Sequence, residues 1–357
     1  MKLGRTLVVS TLVLLASSGA FAMFRAADLV VVPTAASTPG LSGSNWRTDL
    51  EIMNVDTTPI DVSIVLLQCC NPVDNATWYA NIKNTLGGRS SDGFGHIDAK
   101  LADIQPGAAV QINDVITANW GANIKGALLV FAYQAGTLMT TTPPGGNPKL
   151  IVVNARTYSL GTDANGNPLT YGTQVPGLPW HDYIDPGLEA KGLNKAVFTG
   201  LREDANYRTA IGLVNISDRL TYLDVQLTLS AADGTQLGQE YITLNPLAQD
   251  QYDQAIINLF GKTLADAISG ATLTVTVASY TSGSQTPAPA LMAYVTRMDN
   301  ATNDPVYIEQ TFTKPFPWDC IFNGNCTAAA ASLAVPAVPR GTAPHLRPPT
   351  PAGSLAR

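Results

Sequence analysis

The sequence predicts an all-β protein: two tandem immunoglobulin-like antiparallel β-sandwich domains, with a signal peptide before them and a disordered C-terminal tail after. Three observations predict it. The nonapeptide Trp46–Asn54 (WRTDLEIMN) returns as Tyr207–Asn215 (YRTAIGLVN) without a gap, 161 positions later. A repeat of that length marks two copies of one folding unit. Around each copy apolar residues alternate with polar ones at the period of a half-buried strand, as in Val62, Ile64 and Leu66, or Leu223, Val225, Leu227 and Leu229. The 357 residues are 45% hydrophobic and 13% charged, with 30 Gly and 24 Pro, which suits many short strands joined by turns around two cores. A jelly roll is the nearest competitor. The Cys…Trp…Cys spacing of antibody domains is absent, so the likeness is to architecture only.

Taken in order, residues 1–22 read as a signal peptide. Lys2 and Arg5 form a positive start, Leu7 to Ala16 an apolar stretch too short to span a bilayer, and Ala20-Phe21-Ala22 a cleavage site. Removing it leaves 19 basic and 27 acidic residues, an acidic balance that argues against a nucleic-acid partner. The mature chain is expected to be secreted or periplasmic, with no transmembrane segment. Residues 23–187 form the first domain and its linker. Leu29 to Pro33 reads as a strand stopped by Pro33, followed by strands at Leu50–Val55 and Ile60–Leu66 with a turn from Asn54 to Pro59. The second domain, 188–318, repeats the plan with strands at Ile211–Ile216 and Leu223–Leu229, a hairpin signal at Asp233-Gly234, and a short helix or 3₁₀ turn from Ala255 to Phe260 ended by Gly261. Downstream matches are Ile104 with Leu244, Gly126–Val130 with Gly270–Thr274, and Leu150–Arg156 with Leu291–Arg297. The falling offset places an insertion in the first copy, at residues 69–95. Inserted loops are where one copy specialises. Residues 319–357 hold a cysteine hairpin and a Pro/Ala-rich tail that cannot bury a core.

The set Trp46-Arg47-Thr48-Asp49-Leu50…Asn54, Tyr171–Gly177, Gly200–Asp204 with Tyr207-Arg208-Thr209…Asn215, and Asp299–Pro305 resembles a tandem β-sandwich region of exported proteins from soil bacteria such as acidobacteria. The resemblance spans most of Val30 to Ile308. It implies the fold and export, and it carries no assigned activity.

Residues able to carry chemistry are few. His96, His181 and His345 lie far apart in sequence, and no metalloprotease, nucleophile-elbow, phosphate-loop or dinucleotide motif occurs. The expectation is therefore a non-enzyme without a cofactor. Arg47 and Arg208 occupy matching places, as do Arg156 and Arg297 in the sequence alignment. Their recurrence favours structural arginines over ligand-binding ones. Two oxygen-rich loops are low-ranking calcium candidates: Asp163, Asn165 and Asn167, and Asp299, Asn303 and Asp304. The same residue types are ordinary in tight turns. Of the three pairings open to four cysteines, a local Cys320–Cys326 bridge around Asn323-Gly324 is preferred. It leaves Cys69 and Cys70 bridged to each other or used between chains.

The function expected is that of an exported, non-catalytic structural, adhesive or binding protein of the bacterial envelope or extracellular space. Its partner would be an envelope or extracellular protein or glycan, or a second copy. The alternatives are a carbohydrate-binding module, which needs an aromatic row from Trp78, Tyr79, Trp180 and Tyr183, and then an envelope hydrolase.

Overall fold

The computed structural model describes residues 25–72, 101, 103–136, 147–162, 165–217, 220–283 and 288–312. The chain is an all-β sandwich protein. Its first half comprises β1 (Leu29–Pro39), β2 (Asn45–Asn54), β3 (Ile60–Gln68), β4 (Ala109–Ile112), helix α1 (Val115–Trp120), β5 (Ile124–Gln134), β6 (Ile151–Thr162), β7 (Pro168–Pro176) and β8 (Leu178–Pro179). The second comprises β9 (Lys195–Glu203), β10 (Tyr207–Asn215), β11 (Thr221–Ser230), β12 (Gln236–Leu244), β13 (Gln249–Tyr252), helix α2 (Ala255–Phe260), β14 (Ile268–Ser282), β15 (Leu291–Asp299), β16 (Pro305–Glu309) and β17 (Thr311–Phe312).

The antiparallel pairings run in the same order in both halves. In the first, β4-β2-β6-β7 and β3-β5-β1-β8 form two layers joined by the β1–β2 pairing into one eight-stranded sheet. In the second, β13-β10-β15-β16 face β12-β11-β14-β9-β17. The Asp233-Gly234 turn joins β11 to β12, and Gly261 ends α2 in a left-handed conformation. No helix among the described residues is long and apolar enough to cross a membrane.

One strand expectation needs correction. β1 does not stop at Pro33 but runs on to Pro39, with its register against β5 shifting between Val32 and Ala35. A bulge there accommodates a residue that has no N–H for the ladder. Beyond it the strand stays with β5 as far as Ser37, and its last two residues, Thr38 and Pro39, pair with β2, so β1 joins the two layers of the first sandwich.

Burial shows how the halves meet. Along β2 the outward residues Asp49, Glu51 and Met53 are half-buried or exposed, whereas their counterparts on β10, Ala210, Gly212 and Val214, are buried. The reason is that β10 and β15 carry a second layer on their outer face: β1 packs against both, and β5 against β13. The layers stack, with β3-β5-β1 and β10-β15 innermost. Val214, Ile216, Leu247, Ala290 and Met292 of the second half belong to the same apolar cluster as Val30, Leu129 and Trp180 of the first.

Candidate functional site

Where the two halves face each other they enclose a cleft of about 290 Å³. Its floor is the outer face of β10, β13 and β15, represented by Arg208, Gln251, Tyr294 and Thr296. Its walls are the far end of β1 with Trp46, the β6-β7 pair at Thr157 and Thr173, and the turn after β3 with Cys69 and Cys70 beside Lys125 at the start of β5.

The floor is shaped by a cross-strand pair. Gly212 and Tyr294 are register partners, and a Cβ on Gly212 would fall inside the Tyr294 ring, so the ring lies across the glycine. Gln249 Nε2 donates to the Tyr294 hydroxyl, which donates to Gln251 Oε1, each at 3.0 Å. Burial pushes the Tyr294 phenol well above its ordinary pKa. Arg208 crosses the same floor at 3% exposure. Its Nη1 donates to Asn300 Oδ1 at 2.9 Å and its Nη2 to Asn303 Oδ1 at 2.6 Å, while Nε has no partner. Burial pulls the pKa of this guanidinium down, and the nearby carboxylates Asp253, Asp299 and Glu203 push it back up.

The wall after β3 is held by an unusual turn. Cys69 and Cys70 are disulfide-bonded to each other, and Cys69 N donates to Lys125 O. Asn71 then reaches into the second half. Its N donates to Gln249 O and its Nδ2 to Thr243 O, while Asn245 N and Nδ2 donate to Asn71 Oδ1 and O, all between 2.7 and 2.9 Å. The partner preference for Cys320 and Cys326 concerns residues outside those described, as do Asp163, His96, His345, Trp78 and Tyr79.

The four arginines have distinct surroundings. Arg47 Nε pairs with Asp114 at 3.0 Å. Arg156 Nη2 donates to Thr170 Oγ1 and its guanidinium lies over the Tyr158 ring. Arg297 Nη1 donates to Gly200 O. The alignment that matched Arg156 to Arg297 is overturned by strand register. Arg156 stands opposite Asp49, whereas Arg297 stands opposite Thr209, one residue before the Ala210 that matches Asp49. A slip of one residue moves a side chain to the other face of its sheet, so the two arginines are not equivalent.

In the 299–304 loop, Asp299 Oδ1 accepts from Thr302 N and Ala301 N, which hold its carboxyl below the usual range. Asn303 Oδ1 is engaged by Arg208 and Asp304 is exposed, while Asn165 and Asn167 lie exposed in the β6–β7 turn. Trp180 and Tyr183 do not form a solvent-facing row. Trp180 is buried with Nε1 donating to Asp28 Oδ1 at 2.9 Å, and Tyr183 packs against the first core. Interdomain packing, the plainer role for this pair, is what burial gives them.

Sequence reasoning missed the cleft. The signal was present in the repeat: outward Asp49, Glu51 and Met53 become Ala210, Gly212 and Val214, the pattern of a sheet face covered by another layer. No protein-family model matches the chain, and no curated protein matches it.

Proposed function

We propose that this is an exported, non-catalytic binding protein of the bacterial envelope or extracellular space, and that it holds a small ligand between its two halves. The observation that carries this reading is the cleft itself. At about 290 Å³ it sits at the lower end of the range for small-molecule sites, and its lining mixes polar groups such as Arg208, Gln251 and Thr296 with apolar ones such as Trp46, Ile124 and Val175. Export rests on the signal-like residues 1–22. The test is a thermal-shift screen of the mature protein against small metabolites and glycans, repeated on a Thr296→Trp variant that fills the cleft. Ligands stabilising the wild-type but not the variant support the reading. Ligands that bind both equally sink it.

A structural or adhesive role is the second reading, favoured by β12. This strand is the outermost of its sheet and leaves one edge without a described strand beside it. Such edges accept added strands. Concentration-dependent sedimentation abolished by proline substitution on that edge would favour it over small-ligand binding.

A further inference from the structure

The two halves treat the same arginine differently. In the first, Arg47 Nε meets Asp114 Oδ2 at 3.0 Å, and Asp114 caps α1. The matching position before α2 is Gln254. Its backbone is the same left-handed turn, φ 48° and ψ 48° against φ 43° and ψ 58° for Asp114, yet its side chain makes no cap bond. Arg208 therefore lacks the carboxylate that its counterpart owns. Its Nη atoms rest on neutral amide oxygens and its Nε has no partner. Among the described residues no carboxylate lies within ion-pair distance of it. A buried, unpaired donor on a cation is costly unless something supplies an acceptor. Arg208 lines the cleft, and Lys125 on the opposite wall has, among the described residues, a single 4.0 Å ion-pair contact, with Asp253.

Resting on the reading that the cleft holds a ligand, we infer that this ligand is a hydroxylated carboxylate of sugar-acid size, its carboxylate received by Arg208 and Lys125. A guanidinium and a carboxylate make stronger, better directed hydrogen bonds than neutral pairs do. The hydroxyls of Thr34, Thr173 and Thr296 provide donors and acceptors for a polyol body, and Trp46 offers an aromatic face.

The experiment is calorimetric titration of the mature protein with glucuronate and galacturonate, and with glucose and galactose as uncharged counterparts. It is repeated on Gln254→Asp, which gives Arg208 an internal carboxylate as in the first half, and on Lys125→Ala. The melting temperature of each variant verifies that it is folded. Expected is uronate binding at least about tenfold tighter than the neutral sugar. Each variant should lose about tenfold in uronate affinity, with neutral-sugar binding unchanged. Equal affinity for uronate and neutral sugar overturns the carboxylate assignment and leaves the cleft reading standing. So does a ligand of another class that Thr296→Trp excludes. Uronate binding undiminished in both variants overturns the roles of Arg208 and Lys125. Absence of any cleft-dependent ligand removes both the inference and the reading beneath it.

Discussion

Thr48 and Thr209 hold the same place and make the same bonds. Thr48 Oγ1 accepts from Ala36 N and donates to Ala36 O, and Thr209 Oγ1 does likewise with Arg202. Asn54 and Asn215 match as closely. Asn54 Nδ2 donates to Thr58 O and Ile104 O, and Asn215 Nδ2 to Thr221 O, Leu244 O and Asn245 O. The Arg-Thr…Asn string is thus mostly a strand clamp and a loop clamp written twice. Two other residues yield predictions. Gly212→Ala puts a methyl into the fully buried Tyr294 ring, where neither strand has room to yield. The loss expected is about 1–3 kcal/mol, read as a lower urea midpoint with an unchanged slope. Glu203 is buried, with Oε2 accepting from Ile256 N and Oε1 unpartnered. Desolvation raises its pKa from 4.5 to about 7. Between those values the folded chain keeps a proton that the unfolded chain has released. Its stabilisation is therefore complete below about pH 4.5, is lost as pH rises to about 7, and changes no further above that. The amount is on the order of 3 kcal/mol, at 1.36 kcal/mol per unit. Urea midpoints of wild-type and Glu203→Gln compared at pH 4.5 and 7.5 isolate it; parallel pH dependences in the two proteins would refute it.

At the scale of elements, period-two alternation placed β2, β3, β10 and β11 correctly because each buries one face against its own sandwich, and α2 was legible from its glycine stop. What failed did so for reasons of register and context. Pro33 reads as a terminator, but a bulge absorbs its missing donor and β1 continues. Matching Leu150–Arg156 to Leu291–Arg297 aligned residue types, whereas pairing to the neighbouring strand fixes the register, and only that pairing separates Arg156 from Arg297. The cleft was not legible at all from motifs, because its residues come from strands more than 150 positions apart and none has a local signature. The helix starts add a prediction. Asp114 accepts from Thr117 N at the head of α1, while at the head of α2 the Gln254 side chain makes no such bond and only Glu203 Oε2 receives the N–H of Ile256. Gln254→Asp should restore a cap and give Arg208 a partner, raising stability by about 1 kcal/mol. Denaturation at neutral pH checks this, and a midpoint below wild-type would mean the carboxylate meets Asp253 rather than Arg208.

Over the whole molecule, the two halves share one apolar cluster across their junction, and this docking should make them fold as one unit. The covered face of β10 carries Ala210, Gly212 and Val214 where the matching face of β2 carries Asp49, Glu51 and Met53, so the second half cannot expose it without loss. At roughly 25 cal/mol per Å² of apolar surface, even the five second-half side chains in the first core represent several kcal/mol. Asn71 adds four hydrogen bonds across the junction, and Arg25 joins Asp182 to Glu309 on the far side. Stability of the interface should then be comparable to that of either sandwich alone, and the mature chain should unfold in a single transition. Asn71→Ala leaves the carbonyl of Thr243 and the N–H of Asn245 without their side-chain partner and should cost about 1–3 kcal/mol. Because the loss falls on the junction, calorimetry of that variant should broaden or split the transition while wild-type remains single. A single sharp transition in both, shifted by less than the error of measurement, would mean that Asn71 contributes nothing to coupling. Two transitions in the wild-type would mean that the halves are independent and that the cleft between them has no fixed width.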